Sequence, residues 1–195
     1  MKYYLSLVTI LVVLAGAPAI AQDFNKGITA FQSGDYKTAL KNWMPLAEKD
    51  DAEAQRNIGI MFQRGLGAPQ SDVEAAHWYR RAAENGHARA QQNLGVMYEN
   101  GTGVLQDYSE AVKWFRKSAE QGNVNAKINL GVLYEQGVPG LPRDAMQSHM
   151  WYNLATAQGH ANAAQLREDV AANMTSEQVA EAQRLAQEWL AKHPQ

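Results

Sequence analysis

The chain has 195 residues, with 20 acidic side chains against 18 Lys and Arg, and no cysteine. A net charge of −2 supplies no electrostatic footprint for nucleic acid or an anionic membrane. Without cysteine there is no disulfide, no thiol nucleophile and no Cys-ligated metal, so the fold has to hold by packing alone.

Residues 1–21 differ from the rest. Lys2 gives a positive start, Leu5 to Leu14 is almost wholly apolar, and Ala19-Ile20-Ala21 places small residues where a signal peptidase reads. This predicts a secretory leader cleaved between Ala21 and Gln22. The apolar run is short of the ~20 residues a membrane span needs, and Gly16 and Pro18 interrupt its end. The expectation is one domain, residues 22–195, acting in a bacterial periplasm or secreted.

Residues 24–51 read as a helix pair. One helix covers Phe24 to Phe31, Gly34-Asp35 makes a tight turn, and the second covers Tyr36 to Ala47 with an aromatic at Trp43. Residues 53–160 then repeat themselves. Asn57-Ile58-Gly59, Asn93-Leu94-Gly95 and Asn129-Leu130-Gly131 stand 36 residues apart, and Trp78-Tyr79, Trp114-Phe115 and Trp151-Tyr152 follow in step. A period in the range of 20–50 residues marks a solenoid of stacked units.

The second copy shows the logic. Ala90, Leu94, Met97 and Tyr98 form one helical face. Gly101 suits a left-handed C-terminus of this helix A. Asp107 and Glu110 predict a capping box opening helix B, whose apolar face is Ala111, Trp114, Phe115 and Ala119. Ser71/Glu74 and Asp144/Gln147 predict the same box in the other copies. The glycine inside each helix A (Gly59, Gly95, Gly131) lowers helix stability by ~1 kcal/mol relative to Ala. Its recurrence predicts a close approach of helix B, placed under the following Trp. The third loop, Gly137 to Pro142, is one residue longer, an insertion that a surface loop tolerates.

Residues 161–195 are expected to form a divergent closing pair. Ala161 to Asn173 reads as helix A, and Thr175 with Gln178 caps a helix bearing Val179, Ala182, Leu185, Ala186 and Trp189. The predicted fold class is therefore all-α, a solenoid of about five antiparallel helix pairs, with atypical end units because one side of each faces water.

The pattern Ala90-x3-Leu94-Gly95-x2-Tyr98-x2-Gly101-x-Gly103-Val104, followed by Glu110-Ala111-x2-Trp114-Phe115-x-Lys117-x-Ala119-Glu120-x-Gly122, resembles the Sel1-like repeat. That repeat is a variant of the tetratricopeptide helix pair with a longer Gly-x-Gly loop. The resemblance is dense over 53–160, while 24–51 is similar to a plain tetratricopeptide unit. It departs from the pattern at Gly140 and at the Arg167/Glu168 unit. The resemblance implies a right-handed superhelix and an adaptor or regulatory role without catalysis. It also implies a protein or peptide partner, such as the periplasmic part of a membrane sensor or an envelope complex. A cysteine-rich branch of the family is associated with β-lactam binding and hydrolysis. Binding or hydrolysis of cell-wall peptides or β-lactams is thus the alternative reading, and the absent cysteines count against it.

Chemical motifs are sparse. No two of His77, His87, His149, His160 and His193 stand three or four apart on one predicted helix, so no metal and no cofactor is expected. His87, His160 and Asn123 share a turn position, and His77 and His149 are expected at the surface. Gly65-Leu66-Gly67 and Gly101-Thr102-Gly103 lack the preceding strand and following Lys-Ser or Lys-Thr of a phosphate loop. Glu48, Asp50 and Asp51 read as a solvated charged turn.

The predicted binding surface is the inner groove, lined by helix A positions facing away from helix B. These are Glu53, Arg56, Ile60, Gln63 and Arg64; then Arg89, Gln92, Val96, Glu99 and Asn100; then Asn125, Ile128, Val132, Glu135 and Gln136. Ile60, Val96 and Val132 share one phase, either as an apolar strip for a peptide or as packing between neighbouring A helices. Arg56 and Arg64 against Glu99 and Glu135 make a charge gradient along the groove.

Overall fold

The computed structural model describes residues 17–194. Helices follow one another along the chain: α1 (Ala17–Gln32), α2 (Tyr36–Ala47), α3 (Ala52–Arg64), α4 (Asp72–Glu84) and α5 (Ala88–Asn100), then α6 (Tyr108–Glu120), α7 (Val124–Gln136), α8 (Ala145–Ala157), α9 (Ala163–Ala171) and α10 (Ser176–Lys192). Residues 1–16 of the expected leader lie outside the described residues. The expected cleavage after Ala21 would fall inside α1, which starts earlier than Phe24. Each helix from α2 to α9 packs on the helix before it, and α10 returns to pack on α8. This is the all-α right-handed solenoid: α3, α5 and α7 are the A helices of the three repeats and α4, α6 and α8 the B helices. Among the described residues the single non-helical pairing is an antiparallel bridge between Val138 and Leu141, inside the longer third loop.

The helix ends follow local chemistry. Ser71, Asp107 and Asp144 each accept a backbone N–H three residues on, at Glu74, Glu110 and Gln147. The expected reciprocal half of the box is missing there: Glu110 binds Lys113 and the Trp114 indole instead. Among the described residues a complete capping box forms only at α10, where Thr175 and Gln178 exchange both bonds. The A helices have caps of their own. Asp51, His87 and Asn123 accept from Ala54, Ala90 and Ala126, so this turn position is an N-cap at α3, α5 and α7, whereas His160 is not one because α9 starts after Asn162.

The helix A glycines do admit a close neighbour, but it is not the Trp. A Cβ on Gly59 would lie 2.7 Å from the Tyr79 ring, on Gly95 2.5 Å from Phe115, and on Gly131 2.3 Å from Tyr152. The aromatic after the Trp therefore lies across helix A of its own repeat. Trp114 turns the other way. It packs in one cluster with Ala75, Tyr79 and Ala82 of the preceding repeat and Leu94 and Met97 of its own. Adjacent residues on a helix point about 100° apart, so one faces within the repeat and the other faces back. In the first unit, Trp43 crosses Gly27 in the same manner, 2.3 Å from where a Cβ would sit. The second loop glycine has a separate role. A Cβ on Gly103 would lie 2.1 Å from the carbonyl oxygen of Asp72, so the loop sits directly on the first turn of α4.

A row of buried polar side chains binds the units together. Gln55 and Gln91 donate to the carbonyls of Ala47 and Ala83, at the end of the preceding helix B. They accept in turn from Asn85 and Gln121, just past their own helix B. In the third repeat Lys127 takes this position and donates to Gln158 at 2.8 Å. His149 is buried rather than at the surface. Burial, with the nearby Arg167 charge, holds its pKa below the ordinary histidine value. Asp50 adopts φ +64° at the phase of Gly86 and Gly122. Bonds to Gln55 and Arg81 hold its carboxylate there, so it is a structural joint and not a merely solvated turn.

Candidate interaction groove

The A helices carry the predicted groove residues, and the structure sorts them into distinct groups. Glu53 is committed to the fold: it lies 3.4 Å from Arg56 and accepts from His87 Nε2 at 2.7 Å. Because His87 Nδ1 already accepts from Ala90, its proton sits on Nε2. The pair ties the first turn of α3 to that of α5. Sequence reasoning missed this role, since nothing in the spacing alone places residue 53 beside residue 87.

Arg56, Ile60 and Arg64 come together with Ile28, Phe31, Gln32, Trp43 and Asn57 around one cavity of about 450 Å³ between α1, α2 and α3. The Arg56 guanidinium donates to Asn57 at 3.1 Å, and its Nε–H is buried without an acceptor. Arg64 is exposed. The residues contributed by α1 and α2 were absent from the predicted groove because the first unit departs from the repeat pattern.

Arg89 and Asn125 line a different cavity of about 350 Å³, at the edge where helix B turns into the next helix A, with Gln121, Gly122 and Asn123. Ile60 and Val96 pack onto the core clusters that each one's own repeat shares with the next, and remain half-buried. Gln92, Ile128 and Val132 are also half-buried.

One position repeats with a difference. The Tyr79 hydroxyl donates to Gln63 at 2.9 Å, and the Tyr152 hydroxyl donates to Glu135 at 2.8 Å. Burial pushes the Tyr79 hydroxyl up to about 12, against the lowering effect of Arg56 and Arg64. Burial and the Glu135 carboxylate drive Tyr152 higher still. In the middle repeat the ring is Phe115, which has no hydroxyl. Glu99, at the same phase, is half-buried, its carboxylate has no hydrogen-bond or ion-pair partner among the described residues, and burial raises its pKa.

Among the described residues no three His, Asp or Glu side chains converge to hold a metal ion, and no helix is long and apolar enough to cross a membrane. No curated protein matches the chain. A crystal structure of a Sel1 repeat protein from Oxalobacter formigenes is similar, with a TM-score of 0.65 and 35% identity, covering 72% of this chain and 56% of that one. A protective antigen of uropathogenic Escherichia coli with an SLR fold is 28% identical, covering 92% of this chain and 46% of its own, with a TM-score of 0.47. The chain thus spans about half the length of each. The Sel1 repeat model matches residues 52–87, 88–123 and 124–160, units whose junctions coincide with the helix B to helix A turns. With more than half its length in these three units, the chain belongs to the Sel1 repeat family.

Proposed function

We propose that this protein is an interaction scaffold that binds a protein or peptide segment along its A-helix side, outside the cytoplasm, and performs no chemistry of its own. Sel1 repeat proteins are generally protein-interaction scaffolds. The observation that carries the reading here is the half-buried row Ile60, Val96 and Val132, in line with an open cavity at the α1 end of the same side. An apolar row with polar flanks suits an extended or helical segment, which gains burial along its length and specificity from pockets.

The test is an in-cell crosslink from a photoreactive residue at position 96, with mass spectrometry of the envelope fraction. A dominant protein adduct that is lost when Arg56→Glu and Val132→Asp are added to the same chain supports the reading, provided the helical signal of that variant is intact. Adducts restricted to cell-wall peptides would move the function to the wall-binding alternative. Cell fractionation with N-terminal sequencing checks the location: a mature chain starting at Gln22 is expected, and an uncleaved cytoplasmic chain would overturn it.

A further inference from the structure

The cavity between α1, α2 and α3 has features the rest of the A-helix side lacks. Its floor is apolar, from Ile28, Phe31, Trp43 and Ile60, and two arginines stand at its wall. A volume of about 450 Å³ lies within the range of small recognition pockets, ~300–1,000 Å³.

The arginines are poorly compensated. No carboxylate lines the cavity. The carboxylate paired with Arg56 is Glu53, at 3.4 Å, and Glu53 makes its shorter bond, 2.7 Å, to His87. The Arg64 side chain has no hydrogen bond or ion pair among the described residues. A buried N–H without an acceptor, such as Arg56 Nε, calls for a ligand or water to satisfy it. Arg56 and Arg64 are eight residues apart, roughly 12 Å along the helix axis, with Ile60 midway. Their fields nonetheless overlap, since both act on the Tyr79 hydroxyl.

The feature is unique to this end. At the phase of Arg56 the later repeats carry Gln92 and Ile128, and at the phase of Arg64 they carry Asn100 and Gln136. A charge pair confined to one unit of a repeating array is not required for stacking, because the other units stack without it.

We propose that this cavity is the anchoring pocket of the partner segment and selects an acidic residue next to a large apolar side chain. The apolar side chain fills the floor over Trp43 and Ile60. The carboxylate accepts from the guanidinium groups, a planar two-donor geometry that arginine favours. The proposal rests on the A-helix side being the binding face, and it fixes which end of that face reads charge.

The probe is a set of acetylated, amidated peptides, Gly-Ser-Xaa-Leu-Phe-Ser-Gly, with Xaa as Glu, Gln or Lys. The readout is the set of isoleucine methyl resonances of the full chain. Ile28 and Ile60 line the pocket, and Ile128 is a remote reference. The Glu peptide is expected to shift Ile28 and Ile60 but not Ile128. It should bind at least about tenfold more tightly than the Gln peptide and weaken with salt. Arg56→Gln and Arg64→Gln, each verified by an unchanged melting curve, should remove the preference for Glu over Gln. Equal binding of Glu and Gln peptides, shifts centred on Ile128, or no binding at millimolar peptide would overturn the proposal. So would binding of dodecanoate with none of the peptides, which would make the pocket a site for small amphiphiles. If the position 96 crosslink captures a partner while these peptides fail, the pocket is refuted and the scaffold reading stands.

Discussion

Two positions where one repeat differs from its siblings carry the residue-scale predictions. Phe115 occupies the slot of Tyr79 and Tyr152 but brings no hydroxyl to Glu99. Phe115→Tyr should supply the missing bond and stabilise the fold by about 1 kcal/mol, the net scale of a hydrogen bond to a charged group when partly solvated. Thermal melting checks the gain, and carboxyl NMR should show the Glu99 pKa falling. Lys127 is the other position. It is fully buried where Gln55 and Gln91 stand in the other repeats, with its ammonium 4.9 Å from the Trp189 ring. Burial lowers its pKa to about 8. The unfolded chain holds that proton up to the ordinary lysine value of 10.5. Between those two limits the unfolded state binds more protons, so stability rises with pH. Lys127→Gln should flatten that rise relative to the parent and melt a few degrees higher at pH 7, the shift that ~1 kcal/mol produces in a chain of this size. A variant whose melting temperature tracked the parent across pH 7–9.5 would refute the assignment.

Helix pairs were legible in the sequence to the extent that their causes are local. The N-cap acceptors Ser71, Asp107, Asp144 and Thr175 and the terminal Gly101 act within one turn of their own position, and all take the expected roles. The close approach at Gly95 was legible as a need but not as a contact. Periodicity assigns Trp114 and Phe115 to one broad apolar side, whereas the neighbour that each of these rings meets, about 100° apart on the helix, is decided by how helix A and the preceding repeat pack there. The reciprocal Glu bond failed for a similar reason, because the indole N–H of Trp114 competes for Glu110. Two substitutions separate the two rings. Gly95→Ala forces a Cβ into the Phe115 ring and should lower stability by ~1–3 kcal/mol as overpacking, with part of the loss recovered by Phe115→Leu. Trp114→Ala should cost ~3–5 kcal/mol and gain nothing from Phe115→Leu. Denaturant melts of the two double variants check both. Equal rescue would mean the rings share one contact.

For the whole molecule, the last two helices decide how the array ends. Neither continues the pattern: α9 and α10 both rest on α8. Trp189 of α10 meets Trp151 edge-on with ring centroids 5.6 Å apart and lies over the Lys127 ammonium. Capping units are what keep a stack soluble, since each inner unit relies on a neighbour on both sides. Ending the chain after Met174 should therefore leave the helical spectrum largely intact but lower the melting temperature and produce association visible by sedimentation. An unchanged monomer would show that α10 is dispensable. The groove at this scale was only partly legible. The fixed phase of Ile60, Val96 and Val132 marked the A-helix side, but the α1–α2–α3 cavity draws Ile28, Phe31 and Trp43 from the unit that breaks the period. A rule read from the repeat cannot report its exception.

The buried row running through Gln55, Gln91 and Lys127 has a consequence for length. Each glutamine rung carries its own donor and acceptor, joining the unit before to the unit it sits in, so a rung is complete within one period. The array is thus a ruler graduated in 36-residue steps. Its zero mark is the α1–α3 pocket and its stop is α10. Adding or deleting a copy of residues 88–123 would change the span between those two fixed points by one graduation while leaving each of them chemically as it was.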